Sequence, residues 1–328
     1  MDGRTVPPID KHLAVDIVGV TERAAVAAAR WRGRGDEPAA DEAAIQGAHR
    51  ELMRSMISGR IVIGEGGEGE VSLLHVGEIV GAGGPELDVA VDALEGTTLC
   101  AKNMAGSISV MVVAEQGSLL KVPGGYMEKI AIGPGYPKGV VSLSATPEEN
   151  INALAKARGV APSEITALVL DRPRHSRLID AVLATGASVK FITDGDVAGI
   201  IHTTNPRQSG VDIYLGSGGA AEGILAAAAL RCLGGQMEGR LVLDSDARRK
   251  QAKELGIRDF SRIYGLEDMV QGDCIVCITG VTDGPLLDGV RFTRNSVETH
   301  TLLMRAATGT MRRISSTHTD LARFAPDA

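Results

Sequence analysis

Two carboxylates three residues apart close a buried strand in the first third of the chain. The apolar run 87–91 leads into Asp92-Ala-Leu-Glu95, and Gly96 and Thr97 follow directly. Oxygen ligands of this kind suit a hard cation such as Mg²⁺ or Mn²⁺. Gly96 allows a close backbone turn, and Thr97 presents a hydroxyl and an N–H to an anion. The pattern predicts a metal site on Asp92 and Glu95, with an acidic helix cap beside a surface turn as the alternative.

A glycine-rich loop with the spacing G-x-G-x-x-G spans residues 64–69. It follows a predicted strand, and Asp88 lies about 20 residues further on, as in dinucleotide-binding folds. However, the variable positions nearest a bound phosphate are Glu65 and Glu68. A like-charge pair at ~4 Å costs about 4 kcal/mol at an effective dielectric constant of about 20. We therefore reject a dinucleotide site and expect Glu65 to bind a metal ion, with a flexible acidic turn as the alternative.

Polar residues also follow predicted strands in the second half. Residues 194–196 (Asp-Gly-Asp) would bind a metal ion or sugar hydroxyls, or form a capped turn. Residues 172–175 (Arg-Pro-Arg-His) open a helix, where two guanidiniums suit a phosphate group; a solvated helix start is the alternative. We expect His175 to be a surface histidine, with a role as an acid or a base as the alternative. Residues 216–219 form a glycine-rich turn before a helix carrying Glu222, which predicts an anion site with a further acidic ligand.

The composition is that of a globular chain with roughly two domains. The 328 residues are 44% hydrophobic and 23% charged, with four cysteines. The start of the chain lacks the apolar core of a signal peptide, and no apolar run approaches the ~20 residues that span a bilayer. Such a low number of cysteines is typical of a reducing compartment. We therefore expect a cytoplasmic protein without a membrane partner. Cys274 and Cys277 lie on a predicted strand, where an offset of three puts them on opposite faces and excludes a zinc site.

The net charge of −7 and the pI near 5.6 argue against a nucleic-acid partner, because phosphate backbones are bound by basic surfaces. A small phosphorylated substrate remains compatible with this charge. An acidic protein can hold an anion through metal ions, local arginines or helix N-termini.

Hydrophobic periodicity predicts the elements that position these residues. In the first half we predict helices over 13–32, 41–58 and 73–80, strands over 60–63 and 87–91, and a hairpin of strands 107–114 and 118–122. Asp41 begins the second of these helices, and Gly59 follows its end as a C-cap.

The second half alternates between strands and helices. Strands are predicted over 165–170, 188–192 and 211–215, and helices over 174–185, from 197, and over 221–233. This order predicts a mainly parallel α/β sheet. Gly, Pro and Ser cluster near residues 137–148, so we predict an N-terminal α+β metal-binding domain, 1–140, and a C-terminal α/β domain, 141–328, that completes the site.

Many ordered blocks together make the chain resemble the class II fructose-1,6-bisphosphatases, of the bacterial glycerol-operon type. The similarity runs from about Val18 to His318. The matching blocks are Gly-Arg-Gly-Asp (33–36) with Ala40-Asp41, Ile-Val-Ile-Gly-Glu (61–65), Asp92 with Leu-Glu-Gly-Thr (94–97), Tyr-Met-Glu-Lys (126–129), Pro-Arg-His (173–175), Asp-Gly-Asp (194–196), Gly-Gly-x-x-Glu-Gly (218–223), Ile-Thr-Gly-Val-Thr-Asp-Gly (278–284) and Arg-Arg-Ile-x-Ser-x-His (312–318).

The resemblance implies a layered α/β sugar-phosphatase fold, related to inositol monophosphatases, in which helix and sheet layers alternate. It implies hydrolysis of a sugar bisphosphate that depends on Mg²⁺ or Mn²⁺. The expected substrate is fructose 1,6-bisphosphate, which yields fructose 6-phosphate and phosphate, with sedoheptulose 1,7-bisphosphate as a second substrate. We also expect a homo-oligomer, a dimer or a tetramer.

The resemblance assigns roles to individual residues. The implied metal ligands are Asp41, Glu65, Asp92, Glu95 and Glu222. The implied catalytic residues are Glu65, Asp92 and Thr97, of which Thr97 orients the attacking water. The implied substrate contacts are Glu95, Gly96, Thr97, Tyr126, Arg172, Pro173, Arg174, Asp194, Gly195, Asp196 and Gly219.

Several positions depart from the family pattern. Glu37 stands where a lysine is expected, Gly67 and Gly69 stand where the family has acids, and Ala93 and Ala221 replace prolines that stiffen the metal loops. The aspartate expected at position 69 helps to activate water in the family.

Two further features bear on these departures. Glu68 or Glu70 replaces the missing aspartate if the loop shifts by one residue, and Arg172 replaces a lysine with retention of charge. Two alternatives therefore stay open: a phosphatase for another sugar or cyclitol phosphate, and a catalytically silent relative that binds a phosphosugar.

Overall fold

The computed structural model describes residues 9–10, 12–67 and 69–325, and Glu68 lies outside them. The α-helices of this part are α1 (Leu13–Ala29), α2 (Glu37–Leu52), α3 (Thr97–Ala101), α4 (Pro147–Arg158), α5 (Ser176–Ala184), α6 (Asp196–His202), α7 (Pro206–Ser209), α8 (Ala220–Leu233), α9 (Asp246–Glu254) and α10 (Leu266–Met269). Its strands are β1 (Ser58–Ile63), β2 (Ile79–Val80), β3 (Glu86–Glu95), β4 (Ile108–Glu115), β5 (Tyr126–Ile132), β6 (Thr166–Leu170), β7 (Ser188–Ile192), β8 (Ile213–Gly219), β9 (Gln236–Val242), β10 (Ile263–Gly265), β11 (Cys274–Gly280), β12 (Arg291–Phe292), β13 (Val297–Arg305) and β14 (Thr310–His318).

The first sheet contains eight strands in the order β12-β13-β11-β4-β3-β1-β2, with β14 also paired to β13. The pair β1–β3 is parallel, and the other pairs are antiparallel. In the central strand β4, Val110 and Val112 face one core while Met111 and Val113 face another. Burial on both faces explains the continuous apolar run from Val110 to Ala114 in this strand.

The second sheet contains six strands in the order β10-β9-β5-β8-β6-β7. Only β6–β7 and β6–β8 pair in parallel, whereas β5–β8, β5–β9 and β9–β10 are antiparallel. The parallel arrangement predicted for β6, β7 and β8 is therefore confirmed, but the antiparallel strands β5, β9 and β10 make the sheet as a whole mixed rather than mainly parallel. Strand β5 comes from the first half of the chain and inserts next to β8, and this insertion separates the parallel strands from β9.

Three hydrophobic cores define five layers. Helices α1 and α2 cover one face of the first sheet, α8 and α6 lie between the two sheets, and α4 and α5 cover the outer face of the second sheet. Cys274 faces the central core and Cys277 the core under α1, which confirms their opposite orientation. The predicted alternation of helix and sheet layers is thus confirmed.

The start of α2 corrects a predicted boundary. The Asp36 side chain accepts a hydrogen bond from the Ala39 N–H at 3.0 Å and caps the helix, and proline occupies its first turn. Both features favour a helix start. Asp41 therefore lies in the second turn rather than at the start, and Gly59 belongs to β1 rather than to a helix C-cap.

Two other predicted elements are wrong. Residues 73–80 form a loop that ends in β2, because Leu74 and Gly77 adopt positive φ angles of 55° and 98°, which a right-handed helix cannot contain. Residues 118–122 do not pair with β4, because β3 and β11 already occupy both of its edges.

The predicted division at residue 140 remains a prediction. Strands β11 to β14, from the C-terminal part of the chain, complete the first sheet beside β1 to β4. None of the helices in the described part of the chain has the length and apolarity to cross a bilayer.

Candidate active site

Glu65 lies in the loop that follows β1. Its N–H donates to the Leu74 carbonyl at 3.1 Å, and a Cβ on the preceding Gly64 would lie only 2.0 Å from that carbonyl oxygen. Only glycine permits this close approach. The half-buried Glu65 side chain accepts a hydrogen bond on Oε1 from the Ala93 N–H at 2.8 Å. These contacts fix the carboxylate against β3.

Asp92 and Glu95 lie within β3 rather than in a loop after it. Asp92 pairs with Val110 of β4, and Glu95 pairs with Ile108, so β3 carries one extra residue between them. In a regular strand an offset of three places side chains on opposite faces. The bulge changes that orientation, so that Asp92 and Glu95 lie near enough for repulsion between their carboxylates to raise the pKa of Asp92.

The hydrogen bonds of these carboxylates leave oxygens available. Asp92 Oδ1 accepts from the Leu94 N–H at 3.2 Å. Glu95 Oε1 accepts from the Val197 N–H at 2.7 Å, in the first turn of α6. The second oxygen of Glu95, Oε2, is buried and has no hydrogen-bond partner among the described residues. A buried carboxylate oxygen without a donor is costly unless a cation or a water meets it.

Thr97 is the first residue of α3. Gly96, at the helix start, has a φ of +79°, and a Cβ there would lie 2.9 Å from the Leu99 side chain. The alternative of an acidic cap on this helix is wrong, because the Glu95 side chain binds α6 instead.

Glu222 lies in the first turn of α8. A Cβ on Gly219 would approach its Oε2 to 1.8 Å, so glycine at that position makes room for the carboxylate. The predicted turn 216–219 is wrong, because these residues are the end of β8. A cavity of about 540 Å³ adjoins Glu222 and Gly219 and extends to Gly64 and Gly67.

The five predicted metal ligands form one electrostatic cluster. Burial raises the pKa of Glu65 to about 7, and repulsion from Asp41 and Glu222 adds to this effect. Burial also raises the pKa of Asp92 well above its usual range, with further contributions from Glu65, Glu95, Glu222 and Asp41.

The pKa values of the other three predicted metal ligands are raised as well, and we call the five acids together the carboxylate cluster. The pKa values of Glu95 and Glu222 are raised first by burial and then by the charge of Asp196. Burial, followed by repulsion from Glu42, raises the pKa of Asp41. The fold thus gathers acids from α2, the loop after β1, β3 and α8 into a space where ionised carboxylates repel one another.

Divalent cations fit this cluster by donor type and charge. Within residues 9–10, 12–67 and 69–325, however, no three His, Cys, Asp or Glu side chains are already arranged to hold a metal ion. Hydrogen bonds to Ala93 and Val197 occupy one oxygen each of Glu65 and Glu95. The buried Oε2 of Glu95, which has no hydrogen-bond partner among the described residues, is the local feature that best fits a cation.

Asp194 and Asp196 lie at the entry to α6, on either side of Gly195, which has a φ of +81°. Asp194 is half-buried, and burial raises its pKa, while the nearby Arg172 lowers it. The buried Asp196 forms an ion pair with Lys129. Both carboxylates adjoin the carboxylate cluster, because their charges raise the pKa of Glu95 and Glu222.

The predicted phosphate contacts lie together on the second sheet. The Arg174 guanidinium stacks over the Tyr126 ring, 4.8 Å from its centroid, and donates to the Ser217 carbonyl through Nε at 3.1 Å. Pro173 begins a 3-10 helix at Pro173–His175, which holds Arg172 and Arg174 at the end of β6.

His175 is buried, so the prediction of a surface histidine is wrong. Its Nδ1 bonds the Leu170 carbonyl at 2.8 Å, and its Nε2 accepts from the Ser217 N–H at 2.8 Å. A carbonyl only accepts and an N–H only donates, so the ring is neutral with the proton on Nδ1. Burial lowers its pKa, and the residue joins β6 to β8.

Sequence reasoning missed Lys129, which is fully buried beside the site. Met127, Lys129 and Ala131 alternate along β5 on its core-facing side. A lysine at a core position of an apolar strand was the available signal.

The departures from the family pattern have visible consequences. The Ala93 N–H binds Glu65, which a proline could not do. Glu37 lies near enough to Asp194 to raise its pKa. Glu70 is exposed and accepts from the Gly67 N–H at 2.8 Å, so it turns back onto its own loop.

Comparison with known proteins identifies the family that this chain matches. Residues 11–318 match the family described as bacterial fructose-1,6-bisphosphatase, glpX-encoded. A D-fructose 1,6-bisphosphatase class 2/sedoheptulose 1,7-bisphosphatase from Synechococcus sp. (strain JA-3-3Ab) is 38% identical, covering 94% of this chain and 96% of that protein. A protein of the same description from Prochlorococcus marinus (strain NATL1A) is 37% identical, covering 94% and 97%.

Proposed function

The chain belongs to the glpX-encoded family of bacterial fructose-1,6-bisphosphatases, and we propose that its carboxylate cluster binds Mg²⁺ or Mn²⁺ and hydrolyses one phosphate ester of a sugar bisphosphate. The protein is a phosphoric monoester hydrolase of the class II fructose-bisphosphatase type. We assign fructose 1,6-bisphosphate as the substrate, with fructose 6-phosphate and phosphate as products, and sedoheptulose 1,7-bisphosphate as a second substrate. We also propose a cytoplasmic homo-oligomer, a dimer or a tetramer.

The observation that carries the proposal is the convergence of five acids, since the charges of Asp41, Glu65, Glu95 and Glu222 all act on Asp92 and raise its pKa. Such a cluster would repel a phosphate dianion on its own. Divalent cations reverse that effect, because they neutralise the carboxylates and leave positive charge for the substrate. The unpartnered oxygen of Glu95 supports the same assignment.

The metal ligands in this proposal are Asp41, Glu65, Asp92, Glu95 and Glu222. When bound, the metal lowers the pKa of a water molecule and offsets the charge of the phosphate and leaving group. The Thr97 hydroxyl, at the first residue of α3, orients the attacking water.

The substrate is held from the second sheet. Arg172, Arg174 and Tyr126 bind the distal phosphate, because two guanidiniums and a phenol hydroxyl all donate to phosphate oxygens. Asp194 and Asp196 accept hydrogen bonds from sugar hydroxyls. Gly96, Pro173, Gly195 and Gly219 shape the backbone around these groups. Catalysis then consists mainly of positioning and charge stabilisation.

A panel of phosphate esters tests the proposal. Phosphate release is measured with Mg²⁺ or Mn²⁺ and with a chelator, on fructose 1,6-bisphosphate, sedoheptulose 1,7-bisphosphate, fructose 6-phosphate and an inositol monophosphate. Metal-dependent turnover of the first two alone supports it. Binding of fructose 1,6-bisphosphate without turnover would instead indicate a silent phosphosugar-binding relative.

One observation favours a different ester as an alternative. Glu37 occupies the position at which the family resemblance implies a lysine, and its charge acts on Asp194 in the proposed sugar subsite. A negative group there disfavours a second phosphate nearby. Selective turnover of the inositol monophosphate in the same panel would establish this alternative.

A further inference from the structure

Lys129 is a fully buried lysine whose side chain no assigned role explains. It has no solvent-exposed surface, and it points from β5 into the core between the two sheets. Lysine is almost never fully buried unless its charge is paired, because desolvation of an ammonium group is expensive. A lysine in this position therefore requires a specific partner.

That partner is Asp196. The Lys129 ammonium group forms an ion pair with Asp196 Oδ2, and the Tyr214 hydroxyl lies 3.5 Å from the same oxygen. Asp196 is only 5% exposed. Its other oxygen, Oδ1, accepts no hydrogen bond from any residue that the structure describes. One oxygen of Asp196 is thus fixed by the protein, while the other remains available.

Glycines around the pair leave the space that it needs. A Cβ on Gly218 would lie 2.0 Å from Asp196 Oδ2 and 3.3 Å from Lys129 Nζ. A Cβ on Gly223 would lie 3.3 Å from Lys129 Cε. Both the end of β8 and the start of α8 therefore accommodate this ion pair, which is packed from two sides.

Lys129 also acts on the carboxylate cluster. Its positive charge lowers the pKa of Glu222, against the effects of burial and of Asp196. Because the ammonium group is sealed from solvent, it does not reach the substrate. Its influence on the reaction must therefore pass through the carboxylates beside it.

We propose that Lys129 is a positioning residue that fixes Asp196 Oδ2, so that Oδ1 is presented to a hydroxyl group of the sugar. This inference rests on the proposed function for the identity of the sugar. It assigns Lys129 to recognition of the carbohydrate rather than to cleavage of the ester. Loss of Lys129 therefore affects KM more than kcat.

A double-mutant cycle with Lys129→Met, Asp196→Asn and their combination tests this inference. The readouts are kcat and KM for fructose 1,6-bisphosphate, and the Kd of fructose 6-phosphate measured by calorimetry with Mg²⁺. A charge-assisted contact contributes enough that Lys129→Met should raise KM and Kd at least ~10-fold, with kcat changed less than ~3-fold. In the Asp196→Asn background the same substitution should change KM and Kd less than ~2-fold, because a neutral amide needs no ammonium partner.

Equal losses of affinity in both backgrounds would overturn the inference and leave Lys129 a purely structural residue. Lys129→Met alone leaves a buried carboxylate uncompensated and could prevent folding. The comparison of Asp196→Asn with the double variant avoids this problem, since neither contains that charge. A double variant that binds fructose 6-phosphate ~10-fold more weakly than Asp196→Asn would also overturn the inference.

The cycle separates this inference from the proposed function. If the unmodified protein hydrolyses fructose 1,6-bisphosphate but shows no coupling, the positioning role fails alone. If it binds fructose 6-phosphate with the expected coupling but releases no phosphate, the hydrolase proposal fails alone. Absence of both binding and turnover contradicts both.

Discussion

The N–H of Ala93 donates a hydrogen bond to Oε1 of Glu65 at 2.8 Å and ties the loop after β1 to β3. The family resemblance implies a proline at position 93, and proline has no N–H to donate. This chain therefore positions Glu65 with a hydrogen bond in place of a stiff ring. Because the bond stabilises the ionised carboxylate, it opposes the burial that raises the pKa of Glu65 to about 7.

We predict that Ala93→Pro removes this bond and raises the pKa of Glu65 further. Metal binding requires the ionised carboxylate, so the affinity for Mn²⁺ should fall at pH 6.5 and recover at pH 8.5. Calorimetric titration at the two pH values measures the effect. Ala93→Gly keeps the N–H and is the matched control. Superimposable pH profiles for the two variants would contradict the role of the bond.

The stability of the metal-free protein should increase as the pH falls from 8 to 5. Folding raises the pKa of Glu65 from 4.5 to about 7. The stabilisation is therefore fully present below the unfolded-state value and is lost as the pH rises through about 7. A shift of this size corresponds to about 3 kcal/mol. Raised pKa values of Asp92 and Glu222 act in the same direction.

Thermal unfolding at several pH values, with a chelator and with excess Mg²⁺, checks this prediction. The metal should raise Tm most at pH 8, where the repelling carboxylates are ionised. A metal-free Tm that is higher at pH 8 than at pH 5 would show that the carboxylate cluster does not dominate the pH dependence.

Asp92→Asn and Glu65→Gln should each abolish metal-dependent phosphate release while the fold is retained. Each substitution removes a buried negative charge from a cluster of like charges, so the metal-free Tm should not fall. Phosphate release and thermal unfolding are the two measurements. Glu86→Gln changes an exposed carboxylate on β3, the strand that carries Asp92, and should leave both phosphate release and Tm unchanged. Near-full activity in either site variant would contradict the ligand assignment.

Much of the layered fold was predictable from the sequence, because hydrophobic periodicity and burial determine its strands and helices. Strand β4 is apolar from Val110 to Ala114 because both of its faces are buried, and several motif residues follow or end strands as the sequence predicted. The order of strands was not predictable. Strand β5 joins β8 and β9 through long-range antiparallel pairing, which local patterns do not encode.

The site was predictable as a set of acids but not as a geometry. The bulge changes the relative orientation of the Asp92 and Glu95 side chains. It depends on the register in which β3 pairs with β4, which no local pattern in β3 reveals. His175 was misassigned because its two partners, Leu170 and Ser217, lie on different strands. Lys129 was overlooked because its pairing with a carboxylate arises only in the folded chain.

Gly219→Ala should reduce metal affinity with little loss of stability. A Cβ at this position would lie 1.8 Å from Glu222 Oε2, but that atom is the end of a flexible side chain that can rotate away. Rotation moves one acid out of the cluster. A change at a residue that positions a metal ligand typically costs roughly 10- to 100-fold in metal affinity, so we expect a loss of about that size.

Gly124→Ala is the matched control, because Gly124 lines the same cavity and an added Cβ meets no atom within 4 Å. Both variants should unfold near the Tm of the unmodified protein, whereas only Gly219→Ala should need more Mg²⁺ for half-maximal phosphate release. Equal metal requirements would mean that Glu222 keeps its ligand position by another route. A large fall in the Tm of Gly219→Ala would mean that the added methyl group displaces the backbone of β8 instead of the carboxylate.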